Sequence, residues 1–315
     1  MRRCIWLIGV CRVLQHICAS EASRMAALPD LADDVAAAVP MGGSRQVVPP
    51  YVLVQARRGW MLVNVNDRYM GQAYLRYGEC CEQETEFLLS LLRVPGLVVE
   101  AGANMGVHTV PMARALGERR LLVLEPQRVI FQQLCANLAL NGLRNVTALP
   151  YAAGSETGAA AMELPDYGRP GNFGAASLEV PDGSRSETVQ CVRLDDLVSG
   201  EHVGLMKVDV EGAELKVLKG AEKIILRDRP VLYLENDRID RSRALIEWLR
   251  ERKYRLWWHR PKLYNPGNLR GAVPANEDAQ LCSVNMLCLP RESAMAVEGE
   301  QEIADDGWHL AMHGA

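Results

Sequence analysis

Leu97-Val98-Val99-Glu100-Ala101-Gly102-Ala103-Asn104-Met105-Gly106 reads as a short apolar strand running straight into a glycine turn. Three successive apolar residues suit a strand covered on both faces. The turn opens a helix expected over Val107–Leu116. Downstream, Leu121–Glu125 repeats the apolar pattern, and a helix from Gln127 to Leu140 stops at Asn141-Gly142, a strong C-terminal signal. A strand is expected over Asn145–Tyr151, with weaker strands on to Val192. Then follow a buried strand at Gly204–Val210, a helix over Ala213–Leu226 and a strand at Val231–Glu235. A helix over Ser242–Arg252 precedes a closing pair of strands, Tyr254–His259 and Ser283–Leu289. Upstream, Tyr51–Val54 and Met61–Val65 flank a turn at Arg58-Gly59, and Glu82–Leu92 has amphipathic spacing. Apolar strands alternating with helices predict an α/β domain with a mostly parallel sheet and helices on both faces.

In such a sheet ligands bind at the carboxyl ends of the strands, where the strand order reverses. Glu100, Gly102, Asn104, Gly106 and Thr109 therefore fall where a ligand meets the first strand. Glu125, at the end of the next strand, is placed to accept both hydroxyls of a ribose. A glycine turn followed by this acid specifies a nucleoside-containing cofactor. The dinucleotide fingerprint needs a glycine at the position of Asn104, so an NAD-linked oxidoreductase is the weaker alternative. The form (E/D)xGxxxG, met by Glu100, Gly102 and Gly106, is common in S-adenosylmethionine sites. Glu100 then serves the amino group of the cofactor, and Asn104 with the turn N–H groups its carboxylate.

The second acidic stretch is Lys207-Val208-Asp209-Val210-Glu211-Gly212-Ala213-Glu214. It ends a central strand, so Asp209 and Glu211 are expected in the same cleft. Glu214 fits the first turn of a helix equally well, with Lys207 as an ion-pair partner. Asp209, Glu211 and His108 are the candidate proton acceptors, and His108 fits a capping or packing role as readily. His259, after Trp257-Trp258, reads as a core or surface histidine. Carboxylates and an amide at Asp209, Glu235 and Asn236, from neighbouring strand ends, form a candidate Mg²⁺ site, an arrangement that resembles the one in catechol-type O-methyltransferases. Alternatively, Glu235 hydrogen-bonds substrate. Asn172 and Ser177, in the glycine-rich insertion Asn172–Ser177, are expected to line the acceptor pocket together with Tyr264–Asn268. Plain loop chemistry would give the same composition.

With these motifs in place, the run from about Gly59 to Leu289 resembles the FkbM-type methyltransferases. The matching stretches are Tyr77-Gly78-Glu79 with Glu84, Gly102 to Thr109, Glu125-Pro126, Asn137 to Asn141, Lys207 to Glu214, Arg229-Pro230 with Glu235, and Ser283 to Leu287. Glu100 stands where such turns usually carry Asp. The resemblance implies a Rossmann-like, seven-stranded fold and S-adenosylmethionine-dependent methylation of a hydroxyl on a sugar or secondary metabolite. It implies a small-molecule or glycan acceptor, and a homo-oligomer is compatible with it. A non-catalytic cofactor-binding scaffold is the third alternative, opposed by the acids at Asp209, Glu211 and Glu235.

The chain has 315 residues, 49% of them hydrophobic, enough for a sizeable core. A net charge of −4 offers no general positive field for a phosphate backbone, so no nucleic-acid partner is expected. Nine cysteines, with no CxxC pair, predict neither a disulfide framework nor a zinc site. Cys135, Cys191, Cys282 and Cys288 sit in apolar runs and read as small buried hydrophobes, which suggests a reducing, cytoplasmic setting. Met1–Ser20 loosely resembles a signal peptide, but Arg12 and His16 interrupt it; it reads as an overextended start or a packing helix. No membrane span is expected. The domain organisation is a leader or linker over 1–50, the methyltransferase domain over 51–290 and a polar, acidic, disordered tail over 291–315.

Overall fold

The computed structural model describes residues 45–48, 50–274, 279–299 and 301–303. The signal-peptide-like segment lies outside them. Chain order begins with strands β1 (Arg45–Val48), β2 (Tyr51–Ala56) and β3 (Gly59–Asn64), an antiparallel sheet in which Ala56 faces Gly59 across the expected turn. Helices α1 (Met70–Tyr77) and α2 (Glu82–Leu91) follow. Next come β4 (Leu97–Ala101), α3 (Thr109–Leu116), β5 (Leu121–Leu124), α4 (Arg128–Leu140) and β6 (Val146–Leu149). Strands β7 (Tyr151–Ala153), β8 (Gly158–Glu163) and β9 (Ser186–Val192) form a separate small sheet in the order β7-β9-β8. The chain then re-enters the main sheet through α5 (Leu194–Leu197) and β10 (Val203–Val208), α6 (Glu214–Gly220), α7 (Glu222–Asp228) and β11 (Val231–Glu235). It closes with α8 (Ile239–Glu251), β12 (Tyr254–His259), β13 (Asn285–Pro290) and β14 (Gln301–Glu302).

The main sheet has the order β14-β12-β13-β11-β10-β4-β5-β6. Strands β11, β10, β4, β5 and β6 run parallel; β13 is inserted antiparallel between β11 and β12. Without the two-residue β14, this is the expected seven-stranded, mostly parallel, Rossmann-like sheet. The strand order reverses between β4 and β10, which fixes where a ligand can enter.

Alternate residues of each strand feed two cores. Val98, Leu205 and Tyr233 face α1 to α4 and the β2–β3 hairpin. Val99, Met206 and Leu232 face α5 to α8. Lys207 and Glu100, paired in register, have the parity of the first set and are buried with it.

Three boundaries differ from the sequence expectation. The strand expected over Asn145–Tyr151 divides at Pro150, which has no N–H for a ladder, so β6 and β7 join different sheets. The helix expected over Ala213–Leu226 breaks at Ala221. Close by, Gly220 packs so tightly on another loop that a Cβ would stand 1.9 Å from the Gly154 carbonyl oxygen. In the tail expected to be disordered from residue 291, Met295 and Val297 pack against the first core although most of the described residues are exposed. Ile303 is buried and its N–H donates to the Leu256 carbonyl at 2.9 Å, so the strand before it is held at the sheet edge. Likewise residues 45–48, assigned to the leader, pair with β2. Among the described residues, no helix is long and apolar enough to cross a membrane.

Candidate functional site

The carboxyl ends of β4, β5, β10 and β11 converge on one cleft, and each contributes an acid. At the end of β4 the chain turns sharply because Gly102 takes φ +86°. A Cβ there would lie 1.7 Å from the Asp209 carbonyl oxygen, so the glycine is required by the approach of the chain beyond β10. The sequence reading placed Gly102 where a ligand meets the first strand; the space beside its Cα is filled by the neighbouring backbone. Asn104 occupies the left-handed region at φ +49°, which a short polar side chain tolerates, and its Oδ1 accepts the Met105 N–H at 2.6 Å. Gly106, at φ +95°, brings α3 against Leu134 of α4.

Glu100 is 1% exposed. Its Oε2 accepts the Thr109 hydroxyl at 2.6 Å, while Oε1 has no hydrogen-bond partner and stands 3.7 Å from Lys207 Nζ. Burial pushes the Glu100 carboxyl up to about 7, against the pull of Lys207 and Thr109. Lys207 Nζ donates to Asp209 Oδ2 at 3.1 Å. Burial opposes its charge, but Asp209, Glu100 and Glu84 outweigh that cost and hold the ammonium above the ordinary lysine range. One cation thus serves three carboxylates, and the cleft keeps an excess of negative charge.

Glu125 is also buried. Its two oxygens accept the Asn104 and Gln127 N–H groups, each at 2.8 Å, so the carboxylate is fixed in orientation and keeps further acceptor capacity. Burial pushes it up to about 7. Gln127 links this strand end to the insertion before β9: its Nε2 donates to the Phe173 carbonyl at 2.9 Å and its Oε1 accepts the Tyr167 hydroxyl at 3.0 Å. Phe173 is buried edge-on to Tyr167.

On the acceptor side, Glu211 stands at φ +56° and accepts from Arg238 at 2.6 Å. Burial and nearby Asp209 push it up to about 7, against Arg238. Glu235 ends β11 with Oε2 buried and unbonded; burial, with Asp209 and Glu211 close by, holds it well above the usual carboxylate range. Carboxylate oxygens of Asp209, Glu211 and Glu235 lie within 4.8 Å of one another. Asn236, expected in this group, is absent from it. Its side chain enters the opposite core and donates to Ser242 Oγ at 2.9 Å, as strand alternation demands of the residue after Glu235. Glu214 is structural: its Oε1 accepts the Val210 and Gly212 N–H groups at 3.1 and 3.0 Å and shapes the loop.

A cavity of about 380 Å³ opens here, with Glu211, Glu235 and Asn172 on one side and Met70, Leu263 and Val284 among its apolar lining. Ser177 and Tyr264–Asn268, also expected to line it, are not part of it; Ser177 Oγ accepts the Glu179 N–H at 3.1 Å. A larger cavity of about 670 Å³ near Arg114, Arg120 and Arg144 lies beside the amino ends of β5 and β6, away from the acids.

His108 is buried between α2 and the turn. Its Nδ1 is 3.1 Å from Thr85 Oγ1 and its Nε2 3.5 Å from Glu84 Oε1. Burial, then Lys207, keeps its pKa well below 6.5. His259 is a core histidine, bonded through Nδ1 to the Tyr233 hydroxyl at 2.7 Å and stacked on Phe87. Glu84 carries no assigned role in the sequence reading, yet it is fully buried beside His108 and faces Lys207. Its only sequence signal is its place in the upstream acidic motif. Glu79 of the same motif is a tie: its carboxylate accepts Arg57 Nε, Asn265 Nδ2 and the Leu269 N–H. The cysteines also depart from expectation: Cys288 is buried, but Cys135 is exposed and Cys282 lines the 380 Å³ cavity.

Residues 100–256 match the family described as Methyltransferase FkbM domain. Methyltransferase sdnD of Sordaria araneosa is 32% identical, over 40% of this chain and 60% of that protein. Methyltransferase 1 of Beauveria bassiana (strain ARSEF 2860) is 30% identical, over 40% of this chain and 58% of that one. The chain thus spans about three-fifths of the length of these curated relatives. Among solved structures, the methyltransferase FkbM from Methylobacillus flagellatus KT is 18% identical with a TM-score of 0.42, over 61% of this chain and 43% of that one. The matched residues hold the glycine turn, Glu125 and the Asp209 loop, and the chain belongs to the FkbM methyltransferase family.

Proposed function

We propose that the protein transfers a methyl group from S-adenosylmethionine to a hydroxyl of a small-molecule or glycan acceptor. The observation that carries this reading is Glu100: a buried carboxylate at a glycine turn, with one oxygen left without a hydrogen-bond partner. That oxygen suits an ammonium group, and the excess negative charge around Lys207 suits a cationic cofactor. When bound, the cofactor supplies an electrophilic methyl group on a sulfonium. Glu100 holds the amino group, the turn N–H groups and Asn104 meet the carboxylate, and Glu125 accepts the ribose hydroxyls. Glu235 and Asn172 orient the acceptor in the 380 Å³ cavity. Asp209 or Glu211 takes the hydroxyl proton as the new C–O bond forms. His108, enclosed by Thr85 and Glu84, does not line that cavity and fits a positioning role better.

A second reading places a divalent cation such as Mg²⁺ on Asp209, Glu211 and Glu235. It is favoured by the mutual approach of their oxygens and by the unbonded Glu235 Oε2. Calorimetry with S-adenosylmethionine and NAD, followed by assay for S-adenosylhomocysteine with an acceptor panel, tests the first reading. Tighter binding of NAD sinks it, and binding without turnover on any hydroxyl acceptor favours a scaffold. Loss of activity in EDTA with recovery in Mg²⁺ selects the metal version; full activity in EDTA removes it.

A further inference from the structure

We propose that Cys81, Glu84 and His108, with Cys80 beside them, form a second site for a thiophilic divalent cation of the Zn²⁺ class. The Cys81 sulfur, a Glu84 oxygen and a His108 ring nitrogen lie within 4.8 Å of one another, and all three residues are buried. Cys80 Sγ is 3.3 Å from Cys81 Sγ, beside the three-donor group. Sulfur, imidazole and carboxylate are the donors that select Zn²⁺ or its soft relatives over Mg²⁺. Ligand bonds of roughly 2.0–2.3 Å place tetrahedral donors about 3.3–3.8 Å apart, inside the 4.8 Å that bounds the three donors here.

The surroundings have the form of a ligand-supporting layer. His108 Nδ1 is occupied by Thr85 Oγ1 at 3.1 Å, so the ring is oriented with Nε2 toward Glu84. Ser283 and Asn285 lie beside Glu84 and favour its ionised form. Cys81 itself sits at φ +52°, a costly conformation for a residue with a Cβ and one that recurs at functional sites. Access is through the 380 Å³ cavity, which Cys81 lines. The site is separate from the Asp209–Glu211–Glu235 group, whose donors are all oxygen.

The test uses the full chain, stripped with a chelator and titrated with Co²⁺ in the absence of S-adenosylmethionine, so its outcome is independent of the methyl-transfer reading. One equivalent is expected to give a sulfur-to-cobalt charge-transfer band with the visible bands of a tetrahedral ion, and Zn²⁺ should bleach both. Cys81→Ser should abolish the charge-transfer band, and His108→Gln should weaken binding at least ~10-fold. Cys135→Ser and Cys191→Ser, outside the cluster, should leave the band intact. If Cys81→Ser does not fold, alkylation of the wild-type protein decides: Zn²⁺ should protect Cys80 and Cys81 selectively. Visible bands without sulfur charge transfer, a band that survives in folded Cys81→Ser, or no protection by Zn²⁺ would overturn the site.

Discussion

Asp209 occupies the corner where β10 ends, with the Lys207 ammonium at 3.1 Å on one side and Glu211 and Glu235 on the other. As proton acceptor or metal ligand it acts on the acceptor hydroxyl in the transition state. Asp209→Asn is therefore expected to lower kcat by ~10²–10⁴-fold while the calorimetric affinity for S-adenosylmethionine stays near wild type. Near wild-type kcat on the true acceptor would remove Asp209 from the chemistry. Glu100 gives a pH signature. Its carboxyl, ordinarily 4.5, is raised to about 7 by burial, so below that pH the free site is protonated. A cationic amino group favours the ionised form. Affinity should fall as the pH drops from 8 to 6, with proton release on binding measurable by calorimetry in two buffers of different ionisation heat; pH-independent affinity would free Glu100 from that role. Sequence was informative where the signal is local: Glu100, Asn104 and Glu125 lie within one βα step and its neighbour. Asn236 shows how a local rule was missed, since the residue after Glu235 must face the other core. Glu84 and Cys81 could not be placed beside His108, because their meeting depends on how α2 packs.

At the scale of elements, the close approach of the β4 turn to the chain leaving β10 is the tightest constraint on the cleft. A Cβ on Gly102 would meet the Asp209 carbonyl at 1.7 Å, in a left-handed conformation besides. Gly102→Ala should cost on the order of 3 kcal/mol of stability in denaturant unfolding, from strain and overpacking together. Gly142→Ala is the control: its φ is also positive, at +64°, but nothing lies within 4 Å, so only the backbone cost of about 1–2 kcal/mol applies. Equal costs for the two would show that crowding at β10 is unimportant. The parallel strands were legible as uninterrupted apolar runs. The small β7-β9-β8 sheet was not, because β8 and β9 bury one residue each, so neither periodicity nor a buried run marks them.

For the whole molecule, the buried acids set a balance between holding a cofactor and holding the fold. Glu100 and Glu125 are each raised from 4.5 to about 7, so the native state keeps protons that the unfolded chain releases. Their contribution is fully present below about 4.5 and is lost as pH climbs through 7. The cofactor-free protein should therefore lose Tm between pH 5 and pH 8, and S-adenosylmethionine should flatten that fall; an identical slope with and without it would deny the coupling. A different consequence follows from β14. It pairs with Trp257 and Trp258 at the outer edge of β12, and Ile303 continues the pairing. Cutting the chain after Pro290 would uncover two aromatic residues on a strand with free N–H and C=O groups, a template for another copy. Such a shortened protein should form soluble aggregates detectable by light scattering, whereas one ending after Ile303 should not. On that outcome, what reads in the sequence as a polar, acidic tail would act as a guard against polymerisation.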